Sequence, residues 1–194
     1  CTVPDSVYVA SVCVASCATP EQQIIAEIEE DRKLGYTSYI DALTRNRSRV
    51  ATLGGNGSML TKQLATVAVD QWITELVDSK HVILEFRTKA GRGLRVTPNH
   101  PVLTAQGTMR QAEEFKVGES LVHLGGKLDT IVSITKVNHI GKVYNLFVKS
   151  ADPAQNIVVT GGFLNGTAYF QNEGTKDLNR VLFRDKLLRG VFAK

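Results

Sequence analysis

Cys17, His100 and Asn172 are the side chains of this sequence whose chemistry could break a peptide bond, each by a different route. A cysteine thiol becomes a useful nucleophile when a partner activates it or when strain brings its own neighbouring carbonyl within reach. A histidine titrates near neutral pH and can hand a proton to a leaving nitrogen. An asparagine held in a constrained backbone can attack its own main-chain carbonyl through the side-chain amide, closing a succinimide and cutting the chain. Each has an ordinary alternative: a small buried hydrophobe for the cysteine, a solvated hairpin corner for the histidine, a plain strand end for the asparagine. The remaining histidines, His81, His123 and His139, read as strand or turn residues without a role.

The elements around these residues decide between the alternatives. His100 lies in Leu94-Arg95-Val96-Thr97-Pro98-Asn99-His100-Pro101-Val102-Leu103-Thr104. Each proline fixes its own φ and biases the residue before it away from helix, so the run reads as strand, rigid corner, strand, with Thr97 and His100 at the corner. Cys17 follows a segment, residues 2–16, whose alternating Val7, Val9, Val12 and Val14 suggest one strand. After it, Thr19, Pro20 and Gln22 with Ile24, Ile25, Ile28 and Gly35 are compatible with a short helix, while the β-branched residues equally allow a strand from Cys17 through Ile25. Asn172 comes two residues after Phe170, at the close of a strand expected over Phe163–Phe170.

Bulk properties exclude several classes. With 194 residues, 43% hydrophobic and 22% charged, the chain is of ordinary globular composition and long enough for a sizeable core. A net charge of +4 with acids interspersed does not suggest nucleic-acid or membrane-surface binding, and no apolar run approaches the ~20 residues of a membrane span. A chain opening on Cys1 instead of methionine reads as a fragment. The odd cysteine set Cys1, Cys13 and Cys17 argues against a disulfide framework, and Cys13 and Cys17 lack the distant pair that zinc requires. No cofactor or metal is expected, and a monomer is.

From residue 36 onward the texture is β: short apolar runs between glycine-rich turns. Lys62–Val69, Trp72–Val77, His81–Thr88, Gly93–Thr97, Val102–Ala105, Ser120–Leu124, Thr130–Val137, Lys142–Val148, Ile157–Val159 and Phe163–Phe170 are the strand candidates, and so many short strands argue an all-β domain. Ile40 to Gly55 can be laid over Ala112 to Gly126 with one gap, both running acid, apolar, turn, strand, Leu-Gly-Gly. That echo suggests a duplicated β unit. Leu178, Val181, Leu182, Leu187 and Leu188 lie near helical spacing, so a helix is expected over Asp177–Phe192, its apolar stripe packed on the parent domain.

Together these pieces resemble the Hint superfamily of inteins, bacterial intein-like domains and hedgehog autoprocessing domains. Thr97-Pro98-Asn99-His100 followed by Pro101-Val102 resembles the family's TxxH block, and Cys17 with Ile24 seven positions later resembles its opening strand. Ile40 to Leu53, Ala112 to Leu121, and Lys142-Val143-Tyr144-Asn145-Leu146-Phe147-Val148 are similar to further blocks, in family order. The resemblance implies an all-β horseshoe with a pseudo-twofold repeat over residues 17–172, an upstream flank 1–16, and a downstream, helical flank 173–194. It also implies roles: Cys17 attacks the Ser16 carbonyl in an N-to-S acyl shift, Thr97 and His100 polarise that peptide and protonate its nitrogen, and Asn172 cyclises. The flanks would be the substrates, in cis.

Departures from the family pattern temper this. Gln171 stands where a histidine usually precedes the terminal asparagine; it hydrogen-bonds but cannot cycle a proton near neutral pH. Glu173 offers neither hydroxyl nor thiol for the acyl transfer of ordinary splicing. Residues between Ile24 and Ile40 look like an insertion, the Gly-Asp usual in the first repeat is replaced around Asn46-Arg47-Ser48, and Cys13 or Cys1 remains an alternative nucleophile. Two further readings stay open: a degenerate, non-cleaving Hint fold serving as a binding or linker module, and a Cys-His hydrolase acting in trans, which would need a third group to orient His100.

Overall fold

The computed structural model describes residues 7–9, 17–28, 33–54 and 63–172. The expected helix over Asp177–Phe192, and Cys1 and Cys13, lie outside them.

The described residues form mostly β-strands with little helix. In order they are β1 (Val7–Val9), β2 (Gln23–Glu27), β3 (Leu34–Ser38), helix α1 (Tyr39–Thr44), β4 (Arg49–Leu53), β5 (Leu64–Thr74), β6 (Ser79–Thr88) and β7 (Gly93–Val96). Then follow β8 (Pro101–Leu103), β9 (Met109–Gln111), a 3-10 turn (Ala112–Glu114), β10 (Ser120–Val122), β11 (Leu128–Gly141) and β12 (Tyr144–Val148). A second 3-10 turn (Ala154–Asn156), β13 (Ile157–Thr160), β14 (Phe163–Gly166) and helix α2 (Tyr169–Asn172) complete it. They form one large curled sheet and a smaller one containing β10, β11, β6 and β7.

The echo seen in the sequence corresponds to a repeat in space. The β2–β3 hairpin, α1, β4 and the long β5 are matched by the β8–β9 hairpin, the 3-10 turn Ala112–Glu114, β10 and the long β11. In each half the strand after the helical turn runs antiparallel to the long strand, Arg49 opposite Ala68 and Ser120 opposite Thr130. The halves then exchange: β5 pairs with β12, and β11 pairs with β6. Such crossed pairing ties the two repeats into one unit.

The structure decides one open alternative and corrects two strand expectations. The segment after Cys17 is the strand and not the helix. Gln22 N–H closes a turn on Thr19 C=O at 3.0 Å, and β2 then sends Ile24 and Ala26 into one core and Ile25 into another. A residue buried on each face in succession demands a two-residue period, which selects the strand alternative. Gly35 caps nothing; it sits in β3, where a side chain would overlap Ile28. Lys62–Val69 and Trp72–Val77 are not two strands: β5 runs unbroken through Asp70 and Gln71. The strand expected over Phe163–Phe170 stops at Gly166, where a Cβ would run into Phe170 and the Pro101 ring, and the chain turns into α2.

Candidate functional site

Cys17, Ala18 and Thr19 thread between β7 and β12 as a short strand with no exposed surface. Ala18 and Tyr144 exchange both backbone hydrogen bonds at 2.9 Å, and on the other side Thr97 N–H donates to Cys17 C=O at 2.9 Å. The backbone on the C-terminal side of the Ser16–Cys17 bond is therefore pinned from both edges. Outside, Gln22 Oε1 accepts from Arg95 N–H at 2.7 Å, and the Arg95 guanidinium pairs with Glu21 and Glu85. Those ion pairs are partly exposed and add little stability; the one to Glu21 links the turn to β7, and the one to Glu85 crosses from β7 to β6.

The proline-framed corner is as rigid as its sequence suggests. His100 N–H closes it on Thr97 C=O at 3.0 Å, and the 3-10 turn Ala112–Glu114 braces it, Ala112 N–H donating to His100 C=O and Glu113 N–H to Pro98 C=O, both at 2.9 Å. His100 is buried, 1% exposed.

The Thr97 side chain joins this corner to Cys17. Its Oγ1 accepts from Cys17 N–H at 2.8 Å and lies 2.9 Å from Asn99 Oδ1 and 3.3 Å from Cys17 C=O. One hydroxyl proton serves one acceptor well, and the shorter contact assigns it to Asn99. Thr97 thus meets the nitrogen of the Ser16–Cys17 peptide as an acceptor. Asn99, given no role from the sequence, accepts from that hydroxyl. Its signal was a side-chain amide two residues from a threonine in a tight corner.

The Cys17 side chain packs with Ile83 and Val143, with Val137 against them. Nearby, burial drives the Tyr39 phenol far above its usual range; its hydrogen bond with Thr160, 2.9 Å, opposes this, and its electrostatic interaction with Cys17 adds to it. Gln171 and Asn172 form the last two positions of α2, beyond the end of β14. Asn145, named in the sequence only as part of the Lys142–Val148 block, is buried beside Tyr144 and accepts from Leu146 N–H at 2.8 Å through Oδ1. His81 pairs with Glu75 at 2.7 Å, His139 stacks near His81, and His123 packs its ring edge-on to Phe163. Among the described residues no group of three or more His, Cys, Asp or Glu side chains is arranged to hold a metal ion.

No protein-family model matches the sequence, and no curated protein matches it significantly. Solved structures do. A DnaB intein from Synechocystis superposes over 79% of this chain and 99% of its own, with 20% identity and a TM-score of 0.58. A bacterial intein-like domain from Clostridium thermocellum covers 78% of this chain and 97% of its own, at 14% identity and a TM-score of 0.59. An intein from a hyperthermophile gives 78% and 99%, 11% identity and a TM-score of 0.63. The fold is the Hint fold of inteins and intein-like domains.

Proposed function

We propose that this chain is an autoprocessing domain that breaks its own Ser16–Cys17 peptide bond, once per molecule and in cis. The Cys17 thiol attacks the Ser16 carbonyl carbon. A C–S bond forms, the C–N bond breaks, and the thiol proton ends on the Cys17 nitrogen, leaving residues 1–16 as a thioester. An external thiol or water then takes the acyl group and frees the thiol. Residues 17–172 form the processing unit, and the flanks 1–16 and 173–194 are its substrates.

The observation that carries this reading is the 2.8 Å hydrogen bond from Cys17 N–H to Thr97 Oγ1. As the carbonyl is attacked, that nitrogen loses amide resonance and gains a proton, so its N–H becomes charged and the bond to Thr97 strengthens. An interaction that is stronger in the transition state than in the ground state accelerates the step. Asn99 keeps the Thr97 lone pairs aimed at the nitrogen. His100, in the braced corner, is assigned the proton delivery. Asn172 would cut before Glu173 by cyclising, slowly, because Gln171 cannot shuttle a proton near neutral pH. Ordinary splicing is not proposed, since Glu173 has no nucleophile to receive the acyl group.

The full burial of Cys17 beside Ile83 and Val143 favours a second reading, a Hint fold that no longer cuts and serves as a binding or linker module. Incubation of the purified chain with and without a thiol reductant, read by intact mass, separates the two. Thiol-dependent loss of residues 1–16 that disappears in Cys17→Ala is the expected result. An unchanged mass after long incubation, or equal loss in Cys17→Ala, rejects self-cleavage in favour of the second reading.

A further inference from the structure

The segment upstream of Cys17 returns to the sheet. Val7, Tyr8 and Val9 run parallel to β5, opposite Trp72, Ile73 and Thr74. On that stretch of β5 one edge is taken by β12, with Leu146, Asn145 and Tyr144 opposite the same three residues. β4 begins only at Arg49, opposite Ala68, and the final bond there is Val69 N–H to Ser48 C=O. Beyond it β5 extends to Thr74 with an edge that no other described strand fills. An unfilled edge is a row of backbone donors and acceptors that takes an extended segment in strand-addition mode. The sequence Val-Tyr-Val supplies the β-branched and aromatic types that suit a pleated edge.

The pairing is also in line with the candidate site. Ala18 faces Tyr144, Tyr144 faces Thr74, and Thr74 faces Val9, so Val9 and Ala18 occupy one row across four strands. Three strand spacings put them about 14 Å apart. Eight residue steps from Val9 to Cys17 can reach roughly 27 Å, enough to cross that distance and return along the strand direction. Ala18 and β1 both run parallel to β5, because each is related to it either directly or through the antiparallel β12.

We infer that the Trp72–Thr74 edge of β5 is the docking strip for the segment upstream of the cleavage point, taking Val7–Val9 of the same chain as a parallel strand. The inference rests on the processing reading for its purpose and on strand pairing for its existence. Docking draws the flank to a fixed point on the domain and limits the positions open to Ser16, so the strip acts as a recognition subsite for the cis substrate. Once the Ser16–Cys17 bond is broken, the strip holds only three paired residues of a separate peptide. Without the tether, the association entropy works against so short a contact, and the released fragment leaves.

The test uses the full chain carrying Cys17→Ala, so that nothing is cut. At least one backbone amide among residues 7–9 should exchange with deuterium ten or more times more slowly than in an unstructured peptide, at any protein concentration. The same chain with Tyr8→Pro and Val9→Pro, which break the strand and delete their own amides, should lose the protection of the Trp72–Thr74 amides that face β1 and of any protected Val7 amide. In the cleaving chain the two prolines should slow the thiol-dependent loss of residues 1–16 at least threefold. Unprotected amides in Cys17→Ala would overturn the inference, and protection that grows with protein concentration would assign the edge to a second copy. An unchanged cleavage rate in the proline variant would remove the recognition role. A chain that never cleaves would defeat the processing reading alone, leaving the exchange measurement to decide the docking.

Discussion

Replacing Thr97 by valine removes the hydroxyl oxygen that accepts from the nitrogen of the Ser16–Cys17 bond while keeping the β-branched shape. Thr97 is 5% exposed, so the change leaves Cys17 N–H without its 2.8 Å partner in a dry place. An unsatisfied buried donor costs about 1–3 kcal/mol of stability, readable as a lower urea midpoint. The kinetic effect is separate. A neutral hydrogen bond contributes about 0.5–1.5 kcal/mol and one to a charged group about 1.5–3 kcal/mol. The increment gained as the nitrogen becomes charged is thus about 1–1.5 kcal/mol, and at about 1.4 kcal/mol per decade Thr97→Val should slow cleavage roughly tenfold. Thr97→Ser, which keeps the hydroxyl, should restore most of the rate. The assay is the time course of intact mass in excess thiol, at a temperature where urea titration shows the variant folded. A folded Thr97→Val chain that cleaves at the parent rate would refute the role given to this hydroxyl, whatever it does to stability.

Other outcomes follow from the same contacts. Gly161 has φ +61, and an added Cβ would meet Gln22 Nε2 at 2.7 Å and Gly93 C=O at 2.8 Å; Gly161→Ala should destabilise the fold by more than about 1 kcal/mol in urea unfolding. Burial pushes the Asp129 carboxyl up, but hydrogen bonds from Thr88, from Ala90 N–H and from Arg92 outweigh it and hold the group below the usual carboxylate range. A depressed carboxylate contributes stability that is complete above its unfolded pKa, about 3.9, and lost as pH falls through the lower folded value. Asp129→Asn should therefore lower stability at neutral pH and flatten its decline below about pH 4, measured by urea midpoints across pH.

Much of this protein was legible in its sequence because the signals are local. Pro98 and Pro101 restrict their own backbone and their neighbours', so the corner carrying Thr97 and His100 needed no knowledge of the rest of the chain. Alternation and glycine punctuation marked β6, β7 and β12 to within a few residues. The Leu-Gly-Gly echo pointed to a repeat that the crossed β5–β12 and β6–β11 pairing bears out. Where local preference was balanced, tertiary packing decided. Ile24 and Ile25 suit a helix turn or a strand, and only the presence of a core on each side of β2 makes the strand the lower-energy choice. Phe170 reads as the end of a strand, but β14 stops at Gly166, where a Cβ would overlap Phe170 and the Pro101 ring, and the chain goes on into α2. The contact on which the proposed function rests, Cys17 N–H to Thr97 Oγ1, joins residues eighty apart, and no period or propensity encodes such a separation. Residue types and a rigid corner came from the sequence; the choice of which atom of the cysteine the corner touches belongs to the sheet, because strand pairing alone brings β7 and β12 to either side of Ala18.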